Sequence, residues 1–205
     1  GIDINKLSKH YLKNKKINHF KGAKFIKKAS GVLLLNCDIL IPAATESVIT
    51  LNNANKIKAK LIIEAANGPI TYRADQILNK RGIDILPDIF VNAGGVIVSY
   101  YEWVKNISHI RFGRLQRRFD EQKMRNVIAA ISKTTSKSIS PLLYKKITAG
   151  ATEKDLAYSG LEDTMREAFQ EILSEKNKNK KLNFRTAAYA IALKKLRKFH
   201  NTVGM

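Results

Sequence analysis

Three short apolar runs, separated by helix-forming segments, constrain the fold of this chain more than any other feature. Residues 38–42 read DILIP, residues 60–65 read KLIIEA and residues 83–86 read IDIL. Each run is too short for a helix of ordinary length and is closed by a proline or followed by an Asn-Gly-Pro turn, which is typical of a buried strand. Strands that alternate with helices in this way predict an α/β fold with a parallel sheet and right-handed crossover connections.

The segments around these runs predict helices. We expect helices over residues 4–14, 46–55, 72–81, 94–106, 111–131, 152–173 and 184–200. Thr152 and Asp155 have the spacing of a helix-capping pair, and Gly82 suits a helix C-terminus. Residues 132–140 and 174–183 are rich in Ser, Thr, Lys and Asn, so we expect them to be loops.

Composition limits the class of protein. Hydrophobic residues make up 44% of the 205 residues, which is enough for a real core in one domain or one and a half. The single cysteine, Cys37, excludes an internal disulfide framework, and the four scattered histidines offer no metal-site pattern. No apolar run approaches the roughly 18 residues of a membrane helix. The formal net charge of +20 fits a nucleic-acid binder, but a solvated Lys-rich surface explains it as well, and we favour the surface.

Ligands of open parallel sheets bind beyond the carboxyl ends of the strands. In this chain three stretches follow the predicted strands: residues 42–45, 67–69 and 92–95. Small side chains such as Ala43 and Ala44 let a flat ring approach the backbone. The amides of Asn67 and Asn92 can donate and accept hydrogen bonds at once, which suits a carboxamide or a sugar hydroxyl.

Gly94 and Gly95 interrupt the apolar segment 87–103. We expect them to open a helix whose unpaired N–H groups face the cleft and attract an anionic group. Val96 and Ser99 share one face of that helix. There valine can pack against the aliphatic part of a substrate, and serine can bond a carboxylate. Tight packing of the helix on a sheet, with glycines for close approach, explains the same residues, and spacing alone favours this second interpretation.

Other candidate sites are weak. The eleven glycines contain no G-x-G-x-x-G fingerprint, so the phosphate-cradling turn of a nucleotide-binding fold would lie upstream of Gly1. No Ser–His–acid or Cys–His arrangement stands out. We expect Cys37 in the core and His109 at the surface. Glu64 ends a strand beside the predicted cleft, where it either supports the cleft as an acceptor or, as we favour, makes local hydrogen bonds.

Five segments carry a family resemblance. They are CDILIPAATE (37–46), KAKLIIEAANGP (58–69), ILPDIFVNAGGVIVSYYEWVKN (85–106), GATEKDLAYSGLEDTM (150–165) and FRTAAYAIALKK (184–195). In order and spacing they resemble the C-terminal portion of glutamate dehydrogenase, closest to the hexameric animal mitochondrial type. The block NAGGV-x-V-S-Y-x-EW is the most specific of these matches.

The resemblance implies a fold and an activity. It implies a partial Rossmann-like parallel sheet over residues 1–110, an antenna with an ascending helix and a strand-like descending limb over 111–150, and regulatory and C-terminal helices over 151–205 that pack back on the sheet. It implies reversible oxidative deamination of L-glutamate to 2-oxoglutarate and ammonia with NAD or NADP, in a homohexamer of the mitochondrial matrix. By position it assigns Ala43, Ala44, Asn67 and Asn92 to the cofactor, and Asn67, Val96 and Ser99 to glutamate.

Departures from the family pattern limit what the resemblance implies. The family's substrate domain, with its catalytic lysine and aspartate, has no counterpart here, so no catalytic residue is assigned and we expect the chain alone to be inactive. An alternative hypothesis is a non-catalytic, truncated paralogue that associates with full-length subunits. Ala65 stands where the family usually has a glycine, which we expect to be a mild change.

Regulatory contacts are also altered. Lys154 matches a lysine that contacts GTP in the family, whereas Tyr158 replaces a GTP-contacting histidine and Glu167 replaces an ADP-contacting arginine. A carboxylate cannot hold a phosphate as a guanidinium does, so we expect purine-nucleotide regulation to be impaired. The basic cluster of Arg111, Arg114, Arg117 and Arg118 falls at the base of the antenna, which weakens a third hypothesis of nucleic-acid binding.

Overall fold

The computed structural model describes residues 1–108, 113–179 and 181–204, without the side chains of residues 29, 114 and 115. The chain divides into two compact units, Gly1–Leu86 and Pro87–Met205. The elements of the first unit are α1 (Ile4–Asn14), α2 (Ala29–Val32), β1 (Ile39–Leu40), a 3-10 turn (Ala54–Lys56), β2 (Leu61–Ile63), α3 (Tyr72–Lys80) and β3 (Asp84–Leu86). Those of the second unit are α4 (Asp88–Val91), α5 (Ala93–Ser108), α6 (Arg114–Thr135), α7 (Pro141–Thr148), α8 (Glu153–Lys178) and α9 (Phe184–Val203).

The parallel sheet predicted from the three apolar runs is confirmed. Its strands lie in the order β1-β2-β3, and both neighbouring pairs are parallel. Ile62, at the centre of β2, lies opposite Leu40 on one side and Ile85 on the other. Helix α3 buries Ala74 and Leu78 in the same core, which also contains Ile49, Ala54, Ile57, Ala59, Ile62, Ile70, Ile83 and Ile85. The predicted helix over 72–81 is confirmed, and it ends before Gly82 at φ +74°.

The helix predicted over residues 46–55 is wrong. Ile49 instead forms an isolated parallel bridge with Ile70 and is fully buried. The side-chain oxygen of Asn53 accepts the Thr50 N–H at 2.7 Å. Asparagine side chains compete with the helical ladder for backbone N–H groups in this way, so the segment turns and only the short 3-10 turn remains helical.

The second unit is built from helices around α8. Phe169 of α8 lies between two other rings, with centroids 5.9 Å from Phe90 and 6.4 Å from Phe184. Ile172 and the small Ala187 and Ala188 are buried beside them. Phe169 and Ile172 are three residues apart, so they share one face of α8.

Three helices run further than the sequence indicates. Helix α6 continues to Thr135, α8 to Lys178 and α9 to Val203. At the end of α8, ion pairs with α9 hold the polar residues in the helix, because Lys195 donates to Glu171 at 2.6 Å and Lys194 donates to Glu175. The loops predicted over 132–140 and 174–183 are therefore helical in their first residues.

The limb that follows α6 was expected to be strand-like, and this expectation is wrong. Residues 141–148 form helix α7. The Ser140 hydroxyl accepts the Leu143 N–H, and Pro141 occupies the first turn, where its missing N–H removes no helical hydrogen bond. A side-chain cap and a proline together begin a helix rather than a strand.

Candidate functional site

The loops that leave β1 and β2 remain hydrogen-bonded to each other beyond the sheet. The Pro42 carbonyl accepts the N–H groups of Ala65 at 3.1 Å and Ala66 at 2.9 Å. Further along, the Ser47 N–H donates to the Gly68 carbonyl at 2.9 Å. These bonds bracket a short surface formed by residues 43–46 and 67–68, which we call the ledge.

The ledge presents small and polar groups to solvent. Ala43, Ala44 and Asn67 are exposed. Gly68 has φ +50°, and a Cβ built there would meet no atom within 4 Å. Behind it, Pro69 is fully buried, which anchors the loop to the core. The sequence prediction that Ala43, Ala44 and Asn67 lie together at the strand ends is consistent with this geometry, while their contact with a cofactor stays a prediction.

Glu64 lies beneath this surface. It is fully buried at the end of β2, and its N–H donates to the Leu86 carbonyl at 3.1 Å. Within the described part of the chain, no buried side-chain nitrogen or oxygen lacks a hydrogen-bond partner. The buried polar atoms of Glu64 therefore have partners within the chain, as buried polar groups generally do, which favours the local hydrogen-bonding role expected for Glu64.

In the second unit, Asn92 lies at the turn between α4 and α5. Its N–H donates to the Asp88 carbonyl at 3.1 Å, and its carbonyl accepts the Gly95 N–H at 3.2 Å. Gly94 and Gly95 thus lie in the first turn of α5, close to the predicted start, but the expectation that the Gly95 N–H is unpaired is wrong. The helix begins at Ala93, and because α4 leads directly into the turn, the turn supplies a carbonyl for the Gly95 N–H.

Helix α5 is held along α8. A Cβ built on Gly94 would lie 3.4 Å from Leu161, so the glycine packs closely on α8. Lys105 donates to Glu153 at 2.6 Å, and the Tyr101 hydroxyl lies 3.4 Å from that of Thr164. Since 3.4 Å is an ordinary van der Waals distance for a Cβ, this contact does not require a glycine, and the neighbour is a helix where the close-packing interpretation expects a sheet.

Two predicted substrate residues lie on the solvent-facing side of α5. Val96 is 72% exposed. Ser99 is exposed, and its hydroxyl donates to the Gly95 carbonyl at 3.0 Å. Ser99 therefore bonds its own helix in this structure, and its predicted role with a carboxylate requires the hydroxyl to rotate away from Gly95. Asn92, Val96 and Ser99 belong to the second unit, whereas the ledge belongs to the first.

The three predicted regulatory residues lie exposed on α8. The Lys154 amine lies 5.6 Å from the ring centroid of Tyr158, a cation–π contact between residues four apart. The predicted capping pair is confirmed beside them, because Thr152 and Asp155 bond reciprocally. The Thr152 hydroxyl holds the pKa of the Asp155 carboxyl below its ordinary value. Glu167 is exposed and leaves a carboxylate where the resemblance expects a cation.

Other predicted groups give no second site. Arg117 pairs with Glu121 at 2.8 Å. His109 and Arg111 lie outside the described residues, as does the side chain of Arg114. Among the residues that are described, no group of three or more His, Cys, Asp or Glu is arranged to hold a metal ion. In the same residues no helix is long and apolar enough to cross a membrane.

Comparison with known proteins decides the family. The model of the glutamate/leucine/phenylalanine/valine dehydrogenase family matches residues 1–154. The chain belongs to this dehydrogenase family. Membership confirms the resemblance drawn from the NAGGV block and the four other segments, and the α/β fold class expected from it.

Relatives of this dehydrogenase chain are named glutamate dehydrogenases. The mitochondrial glutamate dehydrogenase of Dictyostelium discoideum is 44% identical over 204 residues, which is 100% of this chain and 40% of the relative. The NADP-specific enzyme of Saccharolobus shibatae is 50% identical over 109 residues, covering 53% of this chain and 25% of the relative. The crystal structure of glutamate dehydrogenase from Peptoniphilus asaccharolyticus superposes with a TM-score of 0.62 at 28% identity, covering 100% of this chain and 36% of that one. The chain thus spans about 40% of the length of the Dictyostelium relative, in its C-terminal part.

Proposed function

We propose that this chain forms the cofactor-side part of an NAD(P)-dependent glutamate dehydrogenase, which interconverts L-glutamate with 2-oxoglutarate and ammonia. The observation that carries the proposal is the ledge. In a chain of this dehydrogenase family, two strand-end loops are tied together so that Ala43, Ala44 and Asn67 face solvent at the place where open parallel sheets bind ligands.

The ledge fits a nicotinamide cofactor in size and chemistry. The methyl groups of Ala43 and Ala44 and the open space at Gly68 leave room for a flat ring beside the backbone. The Asn67 amide can bond a carboxamide or a ribose hydroxyl, and Asn92 is proposed to do the same from the second unit. When bound, the cofactor supplies the acceptor for the hydride that leaves the substrate. The residues of the chain contribute positioning.

Glutamate is proposed to contact Asn67, Val96 and Ser99. The exposed Val96 side chain suits the aliphatic carbons of the substrate. Ser99 would donate to a substrate carboxylate instead of to the Gly95 carbonyl, an exchange that costs little because each state keeps one hydrogen bond. The groups that move the proton, and the basic residues that grip glutamate, are proposed to come from sequence outside these 205 residues.

Assembly and location follow the same proposal. We place the enzyme in the mitochondrial matrix as a homohexamer, with residues 1–110 in the cofactor domain, 111–150 as the antenna and 151–205 as regulatory and C-terminal helices. Two features support an assembled state: Phe119 of α6 is 74% exposed and Leu142 of α7 is 83% exposed. The named mitochondrial relative supports the location. Because Glu167 and Tyr158 alter the nucleotide contacts, we propose weakened control by GTP and ADP.

The second candidate function is a non-catalytic paralogue that associates with full-length subunits. The altered residues at 158 and 167 favour it. The exposed apolar side chains of α6 and α7 would then contact those subunits.

A chimaera separates the two candidates. The part of the Dictyostelium enzyme that precedes the matched region is fused to Gly1 of this chain, and glutamate-dependent reduction of NAD and NADP is compared with that of the chain alone. Leucine, valine and phenylalanine serve as comparison substrates. We expect a folded chimaera to oxidise glutamate and the chain alone to show no turnover. A folded hexameric chimaera without turnover, combined with capture of this chain by the intact Dictyostelium enzyme, would contradict the enzyme proposal and support the paralogue.

A further inference from the structure

An open surface depression of about 510 Å³, lined largely by exposed residues, lies in the hairpin of α6 and α7, outside the proposed cofactor residues. We call it the hairpin cavity. Its walls are the second half of α6, the loop of residues 136–140 and the first turn of α7. This volume falls within the range of small-molecule sites.

Two cations line the hairpin cavity, and no carboxylate does among the residues that the structure describes. They are Arg125 of α6 and Lys137 of the loop. The nearest acid along α6, Glu121, is bonded by Arg117 at 2.8 Å and lies 4.0 Å from Arg125. Arg117 bonds one oxygen of Glu121, and the other oxygen lies 4.0 Å from one nitrogen of Arg125, so the Arg125 guanidinium keeps further donors that can bond a ligand. Within the described part of the chain, Lys137 has no acidic partner.

Hydroxyl groups complete the polar wall. Ser132, Ser136, Ser138 and Tyr144 line the cavity. In the described part of the chain, none of these four side chains makes a hydrogen bond to another residue. Hydroxyls donate to phosphate oxygens as readily as to water, so the wall combines two full positive charges with four available donors.

The remaining lining is apolar. Ile128 is only 5% exposed and forms this part of the wall with Ala129 and Ile139. A bare inorganic ion would leave these side chains uncovered. The C-terminal end of α6 carries a partial negative charge of about half an electron, which two complete cationic charges outweigh.

We propose that the hairpin cavity binds a small organic phosphate. The phosphate is held by Arg125, Lys137 and the serine hydroxyls, and the carbon skeleton lies over Ile128 and Ala129. This inference is independent of the dehydrogenase proposal, because it uses no residue of the ledge or of α5.

Titration calorimetry with phenyl phosphate tests the site in the 205-residue chain, with inorganic phosphate as the second probe. We expect one saturable site for phenyl phosphate and weaker binding of inorganic phosphate, which cannot cover the apolar wall. Affinity should rise between pH 5.5 and 7.5, because the second phosphate proton leaves near pH 6.

Matched variants locate the binding. Arg125→Gln removes a charge-assisted hydrogen bond and should weaken binding at least about tenfold. Arg118→Gln removes an equal charge from the exposed surface of the same helix, outside the cavity, and should change affinity less than about twofold. Ser132→Ala, which leaves the Glu121 pair intact, should weaken binding by a smaller factor and keeps the test valid if Arg125→Gln unfolds. Equal losses for Arg125→Gln and Arg118→Gln would mean diffuse attraction to the net charge of +20 and would overturn the proposal, as would the absence of saturable binding.

Discussion

The first unit buries a core of large apolar side chains around its sheet, whereas the described part of the second unit buries few, and both units leave other large apolar residues exposed. Ile49, Ile57, Ile62 and Leu78 of the first unit have no exposed surface. In the second unit, large apolar residues along three helices are 49–72% exposed, namely Val96, Tyr100 and Trp103 of α5, Ile131 of α6, and Leu193, Leu196 and Phe199 of α9. The apolar side chains of α9 are thus buried only near its beginning, at Ala187 and Ala188.

The difference shows what stabilises each unit. A buried core makes the sheet a rigid base for the ledge, because close-packed interiors resist displacement. The helices of the second unit rely instead on ring contacts, caps and ion pairs such as Lys105–Glu153. Contiguous exposed apolar faces on helices mark surfaces that other protein covers, so the exposed faces of α5, α6 and α9 suit assembly, as does that of α1 in the first unit, where Ile4 and Leu12 are 67% and 65% exposed.

The largest expected effect comes from the core of the first unit. Ile62→Ala should lower the free energy of unfolding by about 2–5 kcal/mol, because it leaves a cavity among fully buried neighbours. Leu193→Ala in α9 removes a side chain that is 64% exposed and should cost less than about 1 kcal/mol. Urea unfolding of each variant measures the change in its free energy of unfolding. Hydrogen exchange of the β2 amides is a second measurement for Ile62→Ala. Equal effects of the two variants would remove the contrast between the units.

A polar clamp in the first unit should have the next largest effect. The Arg81 guanidinium donates to the carbonyls of Ala54 at 2.5 Å and Ile57 at 2.6 Å, tying the end of α3 to the 3-10 turn. Arg81→Gln should destabilise the unit by about 2 kcal/mol, since two bonds from a charged donor are lost. Arg73→Gln, on the exposed surface of α3, is the matched control. An unchanged urea midpoint for Arg81→Gln would show that water replaces the clamp without loss.

In the second unit a single cap should matter less than a core residue. Thr152→Ala removes the hydroxyl that accepts the Asp155 N–H and should cost about 1 kcal/mol. Ser159→Ala on the exposed face of α8 should be close to neutral. Fluorescence of Trp103, the single tryptophan of the chain, follows unfolding of this unit. If Thr152→Ala lowered the free energy of unfolding as much as Ile62→Ala does, the contrast between the two units would be contradicted.

The smallest effect is a pH dependence at the ends of α8. The Thr152 hydroxyl lowers the pKa of Asp155 below its ordinary 3.8, and the Lys194 ammonium lowers the pKa of Glu175 below 4.5. Groups with a lowered folded pKa contribute stability at higher pH and lose it as pH falls through that folded value. Carboxyl-carbon NMR should therefore give midpoints below 3.8 and 4.5, and Thr152→Ala should move the Asp155 midpoint upward. Midpoints at or above the ordinary values would exclude these bonds in solution.

Local sequence signals predict much of this fold but little of its long-range hydrogen bonding. The strands follow from short apolar runs, and the Thr152 cap follows from its spacing to Asp155. The helix over 46–55 was wrong because a side chain, Asn53, captured the Thr50 N–H that a helix needs. Helix α7 was missed although Ser140 followed by Pro141 is a helix-start pattern, because the family resemblance suggested a strand-like limb.

In the candidate site, too, local sequence signals predict the residues but not the long-range hydrogen bonds that position them. The strand-end rule selects Ala43, Ala44 and Asn67 from the sequence. The bonds that bracket the ledge join Pro42 to Ala66 and Ser47 to Gly68 across more than 20 residues, and no local pattern encodes them. The sequence likewise does not show whether the Gly95 N–H is hydrogen-bonded, because that depends on how α4 enters the turn.

The kinetics of Asn67→Ala in the chimaera test the central claim, that the ledge positions the cofactor, most directly. Asn52→Ala is the control, because Asn52 is exposed in the same unit but lies away from the ledge. We predict that Asn67→Ala lowers kcat/KM for the cofactor at least about tenfold, the equivalent of one lost hydrogen bond of about 1.4 kcal/mol, while Asn52→Ala stays within about twofold. A folded Asn67→Ala chimaera with the same kcat/KM as its parent would contradict the account.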